Sequence, residues 1–330
     1  MSEYREIQGA AVQSRASSTG TIKGEIWYDT ANYKFKLNTV TTSAAWATGN
    51  NMNTTRRAMM TGSVGTTNAG LGAGGYVGPP RSNACEEYDG TNWSSVHPTL
   101  NTLSSRGSAG TQTACVIFGG NPTPATVTAT EKYNGTSWTA SGALNAARGY
   151  GPICAGTQTA ALAGGGYNPP VTFVTSVEYF NGSTWAVQPN TNPNNYAGQS
   201  GGTQTAAWFV GAGGTTATNN TEAYNWNGTS WTASGNYNDT TRVNFAGGGP
   251  QTAAFIAGGD QDPGMTKNAE TYDGTCWAAI TDINTARTYG CTGGDSSSGF
   301  IGGGGTPANT TATEELTGAG AVTNKTLTTS

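Results

Sequence analysis

Charged residues and histidine are scarce in this chain, and that scarcity argues against several kinds of functional site. Only 10% of the 330 residues are charged, and a single histidine, His97, is present. A metal site built from several imidazoles therefore lacks ligands, and a Ser-His-Asp triad would depend on that one residue. The formal net charge of −4 provides no basic patch for nucleic acid or an anionic membrane. We predict no metal, no cofactor and no nucleic-acid partner.

Long apolar runs and paired cysteines are also missing. No run of about 18 apolar residues occurs, and the chain starts with the charged stretch Met-Ser-Glu-Tyr-Arg-Glu. We therefore expect neither membrane insertion nor a signal peptide, and synthesis in a cytosol. The five cysteines share no common spacing: Cys85, Cys115, Cys154, Cys276 and Cys291. Their odd number argues against a disulfide framework, so we expect isolated, mostly buried thiols.

Tryptophan recurs in a regular order. Six of the nine tryptophans stand at successive intervals of 47, 45, 47, 46 and 46 residues: Trp46, Trp93, Trp138, Trp185, Trp231 and Trp277. A period near 46 residues indicates a repeat architecture. An Asn-Gly or Asp-Gly pair precedes five of them, as Asn134-Gly135 precedes Trp138. Between strand-forming residues, such a pair predicts a two-residue type I′ hairpin in which both residues take positive φ.

A second landmark with the same period is an apolar run that ends in paired glycines. The pairs are Gly74 and Gly75, Gly119 and Gly120, Gly164 and Gly165, Gly213 and Gly214, Gly258 and Gly259, and Gly303 and Gly304. A small polar turn, most often Gly-Thr-Gln-Thr-Ala, precedes each apolar run. We expect the glycines to let adjacent sheets approach closely near a common axis, and each indole to fill an interface while its N–H meets a carbonyl.

The order of apolar strand, paired glycines, variable loop, Glu-x-Tyr strand, turn and tryptophan strand resembles the kelch repeat. The resemblance covers roughly residues 46 to 316 and implies one four-stranded propeller blade per repeat. The lead-in before it, from Arg5 to Gln13 together with a predicted hairpin at 24–37, is similar to that of bacteriophage virion proteins, particularly marine phage proteins with kelch-like repeats. That similarity implies a virion location and attachment to other virion proteins through the N-terminal segment.

The last repeat lacks its tryptophan strand, whereas Trp46 stands in a strand that has no repeat before it. We therefore predict an all-β, six-bladed propeller in which the N-terminal strand closes the last blade and leaves no unpaired edge. Seven blades are the alternative, with the seventh built from residues 24–37 and 325–327. The predicted domains are an arm and hairpin at 1–45, the propeller at 46–318 and a tail at 319–330, which could pair with the hairpin.

Recurring acidic and basic residues suggest ion pairs between blades. The glutamates are Glu86 or Glu87, Glu131, Glu178, Glu222, Glu270 and Glu314, and the arginines are Arg57, Arg148, Arg242 and Arg287. The match is incomplete. Arg106 lies about four residues out of register, and the repeat around residue 195 has no arginine. Solvated charges are the alternative.

The loops that follow the paired glycines differ from repeat to repeat, whereas the Asn-Gly turns are nearly identical. Variable loops on a rigid scaffold are where binding residues concentrate, so we predict that these loops form a recognition face. The candidate binding residues are Tyr76, Arg81, Tyr167, Phe173, Asp260, Asp262 and Met265. Asp260 and Asp262 form the only close acidic pair in such a loop, and we expect them to serve the turn; two carboxylates could otherwise support glycoside hydrolysis.

The function we expect is that of a non-enzymatic phage virion protein. It would be a tail- or head-fibre-type appendage that binds a host-surface glycan or protein, or a neighbouring virion protein, and it could be oligomeric on the particle. A glycan-degrading propeller enzyme of the virion is one alternative. A cellular kelch-type protein-interaction adaptor is the other.

Overall fold

The computed structural model describes residues 13–15, 26–31, 33–40, 43–122, 126–169, 172–191, 197–213, 219–239, 241–261, 264–319 and 322–326. All regular structure in these ranges is β-strand, so no helix within them could cross a membrane. The chain divides into two compact units, one of residues 45–317 and one of residues 1–44 with 318–330.

The larger unit contains six four-stranded antiparallel sheets, numbered here as blades 1 to 6. Their strands are, in blade 1, Gly65–Thr66, Ala69–Ala73, Cys85–Tyr88 and Trp93–Val96; in blade 2, Gly107–Thr111, Ala114–Phe118, Thr130–Tyr133 and Trp138–Ser141; in blade 3, Ile153–Thr157, Ala160–Gly164, Ser176–Phe180 and Trp185–Thr191; in blade 4, Gln199–Gly202, Ala207–Gly213, Asn219–Trp226 and Trp231–Ser234; in blade 5, Ala246–Gly248, Ala254–Ala257, Ala269–Tyr272 and Trp277–Ile280; and in blade 6, Cys291–Gly294, Ser298–Gly302, Thr313–Thr317 and Ala45–Gly49. Two-stranded ribbons are formed by Tyr167–Asn168 with Thr172–Phe173 and by Asp260–Gln261 with Gly264–Met265.

The six blades form a closed ring, as predicted. The first strands of neighbouring blades lie side by side around the axis, and that of blade 6 lies beside blade 1. The fourth strand of blade 6 is Ala45–Gly49, which pairs with Thr313–Thr317 and places Trp46 opposite Leu316. The Trp46 ring is buried and packs 6.0 Å from that of Phe255 in blade 5. The N-terminal strand therefore closes the propeller.

The smaller unit is one four-stranded sheet in the order Gln13–Arg15, Ile26–Asp29, Lys34–Val40 and Val322–Thr326. The first two strands are parallel, and the other pairings are antiparallel. The segments that a seventh blade would need thus pair with one another in this unit. The ring itself has six blades.

Tryptophans of the fourth strands fill the interfaces between blades. Trp185 packs 4.8 Å from Phe118 of the preceding blade, and its indole N–H donates to the Thr130 hydroxyl at 3.0 Å. Trp138 donates to the carbonyl of His97 at 3.1 Å. The repeat tryptophans Trp46, Trp93, Trp138, Trp185 and Trp277 are buried, and Trp231 is half-buried. The expected carbonyl partner is found only at Trp138 among the repeat tryptophans. Trp93 and Trp185 donate to threonine hydroxyls, and the indole N–H groups of Trp46, Trp231 and Trp277 have no partner among the described residues.

The Asn-Gly hairpins differ from the predicted type I′ turn. Among Asn134, Gly135 and the two residues that follow, only Gly135 takes a positive φ, at 87°. The Asn134 side-chain oxygen accepts the backbone N–H groups of Thr136 and Ser137 at 2.9 and 2.8 Å. The two central residues of the turn are therefore Gly135 and Thr136. The Asn134 side chain stabilises the turn from the position before the glycine. The prediction placed the turn one residue too early.

The paired glycines make a close backbone approach, but to the linker of the next blade and not to an adjacent sheet, and two of the pairs differ in position from the prediction. A Cβ at Gly119 would lie 2.3 Å from the Arg148 carbonyl oxygen, and its φ is +63°. In blade 3 the glycines with positive φ are Gly165 and Gly166 rather than Gly164 and Gly165. In blade 4 the equivalent residue is Gly211, at φ +66°, not Gly213; Gly214 lies outside the described residues. Extra glycines in these runs hid the true register.

Five buried arginine–glutamate pairs link each of five blades to the linker that leads into it. They are Arg56 with Glu86, Arg106 with Glu131, Arg148 with Glu178, Arg242 with Glu270, and Arg287 with Glu314. Burial lowers the pKa of Arg148, and the Glu178 carboxylate opposes that shift.

These pairs correct the predicted ones in three respects. The buried partner of Glu86 is Arg56, not Arg57. Arg106 takes part although it is out of register, since its side chain reaches Glu131 from just after the linker turn. Each pair lies within one blade and its incoming linker, not between blades.

The glutamine of the Gly-Thr-Gln-Thr-Ala turn joins adjacent blades, a role that the sequence did not reveal. Gln204 donates to the carbonyl oxygens of Ala161 and Phe180 in the preceding blade, both at 2.9 Å. Three other glutamines make the same pair of bonds: Gln112, Gln158 and Gln251. Each holds the second and third strands of its neighbour.

We expect Gln204→Ala to lower the free energy of unfolding by about 1 to 3 kcal/mol, because two carbonyls lose their donor. Urea unfolding followed by tryptophan fluorescence measures this. Gln188→Ala is the matched control, since Gln188 donates only to the exposed carbonyl of Ala186. Equal stability of the two variants would show that the glutamine bonds contribute nothing.

Candidate functional site

Each linker between blades turns toward the axis and displays side chains at one end of the ring. The residue before this turn pairs through its backbone with the residue that follows the paired glycines. Arg57 and Tyr76 exchange two such bonds, at 3.0 and 2.7 Å. The equivalent pairs are Ser104 with Asn121, Gly149 with Tyr167, Val243 with Asp260, and Thr288 with Gly305. The repeat thus fixes the display positions while their side chains vary.

The next linker residue takes a left-handed conformation in every blade. These residues are Ala58, Ser105, Tyr150, Ala197, Asn244 and Tyr289, with φ between 50° and 60°. Five successive backbone bonds join them around the axis, as in Ser105 N–H to Ala58 O at 2.7 Å and Tyr289 N–H to Asn244 O at 2.7 Å. Such conformations cost about 1 to 3 kcal/mol each outside glycine. Backbone strain at one end of the axis is typical of a functional site.

A cavity of about 360 Å³ lies on this face. Its lining comes from blades 1, 2, 3, 5 and 6: Arg57, Ala58, Tyr76, Arg81, Ser104, Ser105, Asn121, Tyr150, Asp260, Met265, Thr288 and Tyr289. At the other end of the first strands, a cavity of about 310 Å³ is lined mainly by glycines and small residues. Only the first cavity combines aromatic, basic and acidic side chains, so we call it the display cavity.

The sequence-based binding residues fall on this side of the ring. Tyr76, Arg81, Asp260 and Met265 line the display cavity. Tyr167 and Phe173 face each other in a ribbon beside it, with ring centroids 5.5 Å apart. Tyr167 also packs 5.8 Å from Tyr150, which lines the cavity. Asp262 lies outside the described residues.

Sequence reasoning missed the linker half of the cavity. It did not identify Arg57 as a lining residue, nor Tyr150 and Tyr289. These residues lie one place before, or at, the left-handed turn of each linker. Because residues other than glycine occupy that turn, no local pattern identifies it.

The polar groups of the cavity are held in place by their neighbours. Arg57 stacks over Tyr76, with its guanidinium carbon 5.3 Å from the ring centroid. Arg81 donates through Nε to the Ser104 hydroxyl at 2.8 Å. Asp260, another lining residue, accepts a hydrogen bond from the side-chain amide of Asn244 at 2.9 Å. The arrangement offers fixed donors, one carboxylate and aromatic faces.

Metal and thiol chemistry find no support in the described part of the chain. Within it, no cluster of three or more histidine, cysteine or acidic side chains could hold a metal ion. His97 is exposed, away from the cavity lining. Cys85, Cys115, Cys154 and Cys291 are buried free thiols, and Cys276 is an exposed one. Burial raises the pKa of Cys85 and Cys291 to about 12, so both stay protonated at neutral pH.

Comparisons with known proteins place the fold. Neither a scan of protein families nor a search of curated proteins finds a match. Among solved structures, one described as "Structure of YjhT" aligns with 84% of this chain and 99% of its own, with a TM-score of 0.67 and 14% sequence identity. At that identity the likeness concerns the propeller fold.

Proposed function

We propose that this chain is a non-enzymatic bacteriophage virion protein with kelch-like repeats, a tail- or head-fibre-type appendage. Its N-terminal segment attaches to other virion proteins, and the display cavity binds a host-surface glycan or protein. The virion assignment rests on the resemblance of the N-terminal lead-in and of the repeat sequence to those of phage virion proteins. The binding role rests on the cavity, whose side chains come from five blades that share one backbone geometry.

The composition of the cavity favours recognition over catalysis. A binding site of this kind joins apolar and aromatic surface with a few fixed polar groups, in a volume of roughly 300 to 1,000 Å³. The display cavity meets that description, with Tyr76, Tyr150 and Met265 beside Arg57 and Asp260. Asp260 is its one described acidic residue, whereas glycoside hydrolysis needs a pair. Holding the site on a closed ring reduces the ordering cost of binding.

We expect Tyr76→Ala to reduce binding to the host surface at least about tenfold, since the substitution removes both an aromatic face and the support of Arg57. Labelled full-length protein, titrated on a panel of marine bacterial isolates and on a glycan array, measures this. Val187→Ala is the control, because Val187 is 56% exposed on the outer strand of blade 3. Loss of binding in both variants, or in neither, would contradict the proposed face.

A polysaccharide assay distinguishes binding from the enzyme alternative, for which the presence of Asp260 in the cavity is the supporting observation. Reducing-end release from polysaccharides is assayed with the unaltered protein and with Asp260→Ala combined with Asp262→Ala. Depolymerisation that disappears in the double variant would overturn the binding role. A cellular adaptor is excluded if the neighbouring genes encode capsid and tail proteins.

A further inference from the structure

Arg57 differs from every buried arginine of the linkers. The other five each bind a glutamate, and Arg56, its immediate neighbour, pairs with Glu86 at 3.0 Å. No carboxylate in the described part of the chain lies within ion-pair distance of Arg57, which lines the display cavity and is half-buried. Partial burial makes an uncompensated charge costly and a bound anion favourable. Arg57 is therefore available to pair with an anionic ligand.

The guanidinium of Arg57 is fixed before any ligand arrives. Two backbone bonds hold Arg57 against Tyr76, and the Tyr76 ring lies 5.3 Å from the guanidinium carbon. On another side is Gly305, where a Cβ would lie 3.2 Å from Arg57 Cδ and 3.4 Å from Nη1. The glycine thus leaves room for the extended side chain. A fixed guanidinium presents its planar donors at little entropic cost.

We infer that the display cavity takes an acidic glycan, whose carboxylate or sulfate group pairs with Arg57. This inference deepens the proposed function and rests on it. The planar donors of arginine match the oxygens of both anions. Tyr150 is 37% exposed and is supported by Tyr167, so it offers a flat face to the apolar side of a sugar ring. Asp260 adds a carboxylate that can accept hydrogen bonds from sugar hydroxyl groups. An acidic peptide carries few hydroxyl groups, so this acceptor favours a glycan.

The test is an array on which each neutral oligosaccharide stands beside its sulfated and uronate-bearing counterparts, with an oligoglutamate peptide as the non-sugar anion. We expect the full-length protein to prefer acidic glycans at least about tenfold, the effect of one charge-assisted contact. Arg57→Gln should abolish that preference. Arg57→Lys should keep part of it, because the charge remains while the planar donors are lost.

Lys132→Gln is the matched control, since it removes one positive charge from the third strand of blade 2, outside the cavity lining. An equal loss in that variant would indicate general electrostatics and overturn the inference. The inference would also be overturned by any of three results: a preference for acidic glycans that survives Arg57→Gln, no such preference at all, or binding of oligoglutamate equal to that of acidic glycans. Host binding that depends on Tyr76 but not on Arg57 would leave the proposed function standing and refute only the acidic ligand. Carboxylate and sulfate are distinguished by the two arms of the array.

Discussion

Arg56→Met is expected to lower the free energy of unfolding of the propeller by about 3 to 5 kcal/mol, because it leaves the buried carboxylate of Glu86 without its charge partner. Arg56 is fully buried and donates to Glu86 at 3.0 Å and to the carbonyl oxygens of Gly74 and Gly72 at 3.0 and 3.1 Å. Glu86 and Gly72 lie on two neighbouring strands of blade 1, and Gly74 belongs to the glycine pair that follows one of them. Urea unfolding measures the loss.

The adjacent arginine supplies a control of identical chemistry. Arg57→Met removes the same side chain one residue along, where no carboxylate pair is broken, and we expect a change within about 0.5 to 1 kcal/mol. Adding Glu86→Gln to Arg56→Met should recover part of the stability, since the unpaired charge is then removed. If Arg57→Met proved as destabilising as Arg56→Met, the assignment of the buried pair would be wrong.

Deletion of residues 1–50 is expected to convert the propeller into a dimer or an aggregate. The third strand of blade 6, Thr313–Thr317, would lose its neighbour Ala45–Gly49 along five residue pairs. An exposed strand edge recruits another chain. The burial of Trp46, which is 8% exposed, would be lost as well. Size-exclusion chromatography with light scattering measures the change in mass.

Two further samples make the deletion decisive. Removal of residues 1–43 retains Ala45–Gly49 and should leave the ring monomeric. A synthetic peptide of residues 43–51, added to the longer deletion during refolding, should restore the monomer by supplying the missing strand. A soluble monomer with the thermal stability of the full chain, obtained without the peptide, would contradict closure by this strand.

The same linkers carry both stability and display. In the Arg56-Arg57 pair, the first side chain points into blade 1 and the second lies at the cavity. Adjacent residues face opposite ways when the backbone between them is extended. The repeat can therefore keep its buried arginine while the neighbouring position varies among blades. This separation lets the scaffold stay constant under a changeable binding surface.

Features that repeat along the chain could be predicted well because they depend on local contacts. Tryptophan spacing and paired glycines predicted six blades, and the missing last tryptophan predicted that Trp46 would close blade 6. Each blade consists of hairpins between segments that are close in sequence. Its strands and turns can therefore be recognised from the order of residues along the chain. The strand pairing that closes the ring could be predicted by counting strands, since the last repeat lacked its fourth strand and one N-terminal strand had no repeat of its own.

Other features depended on contacts that the local sequence does not specify. The prediction took Arg57 instead of Arg56. The spacing from the preceding tryptophan to the arginine is 10 or 11 residues in three of the other repeats and fits either of the two, so only packing decides which of these neighbours is buried. The prediction placed Gly164 one residue early for the same reason. The glutamine contacts, as from Gln204, join strands of separate blades and leave no local signal.

By itself, the sequence determined the repeat, the number of blades and the loops that face one end of the ring, since these follow from strand-forming residues and turns at fixed intervals. Only the tertiary structure decided which side chains meet there. In the closed ring, six linkers carry left-handed turns at residues other than glycine, which rarely adopt them, as at Tyr150 and Tyr289. That closure brings Arg57 and Asp260, about 200 residues apart, into one cavity.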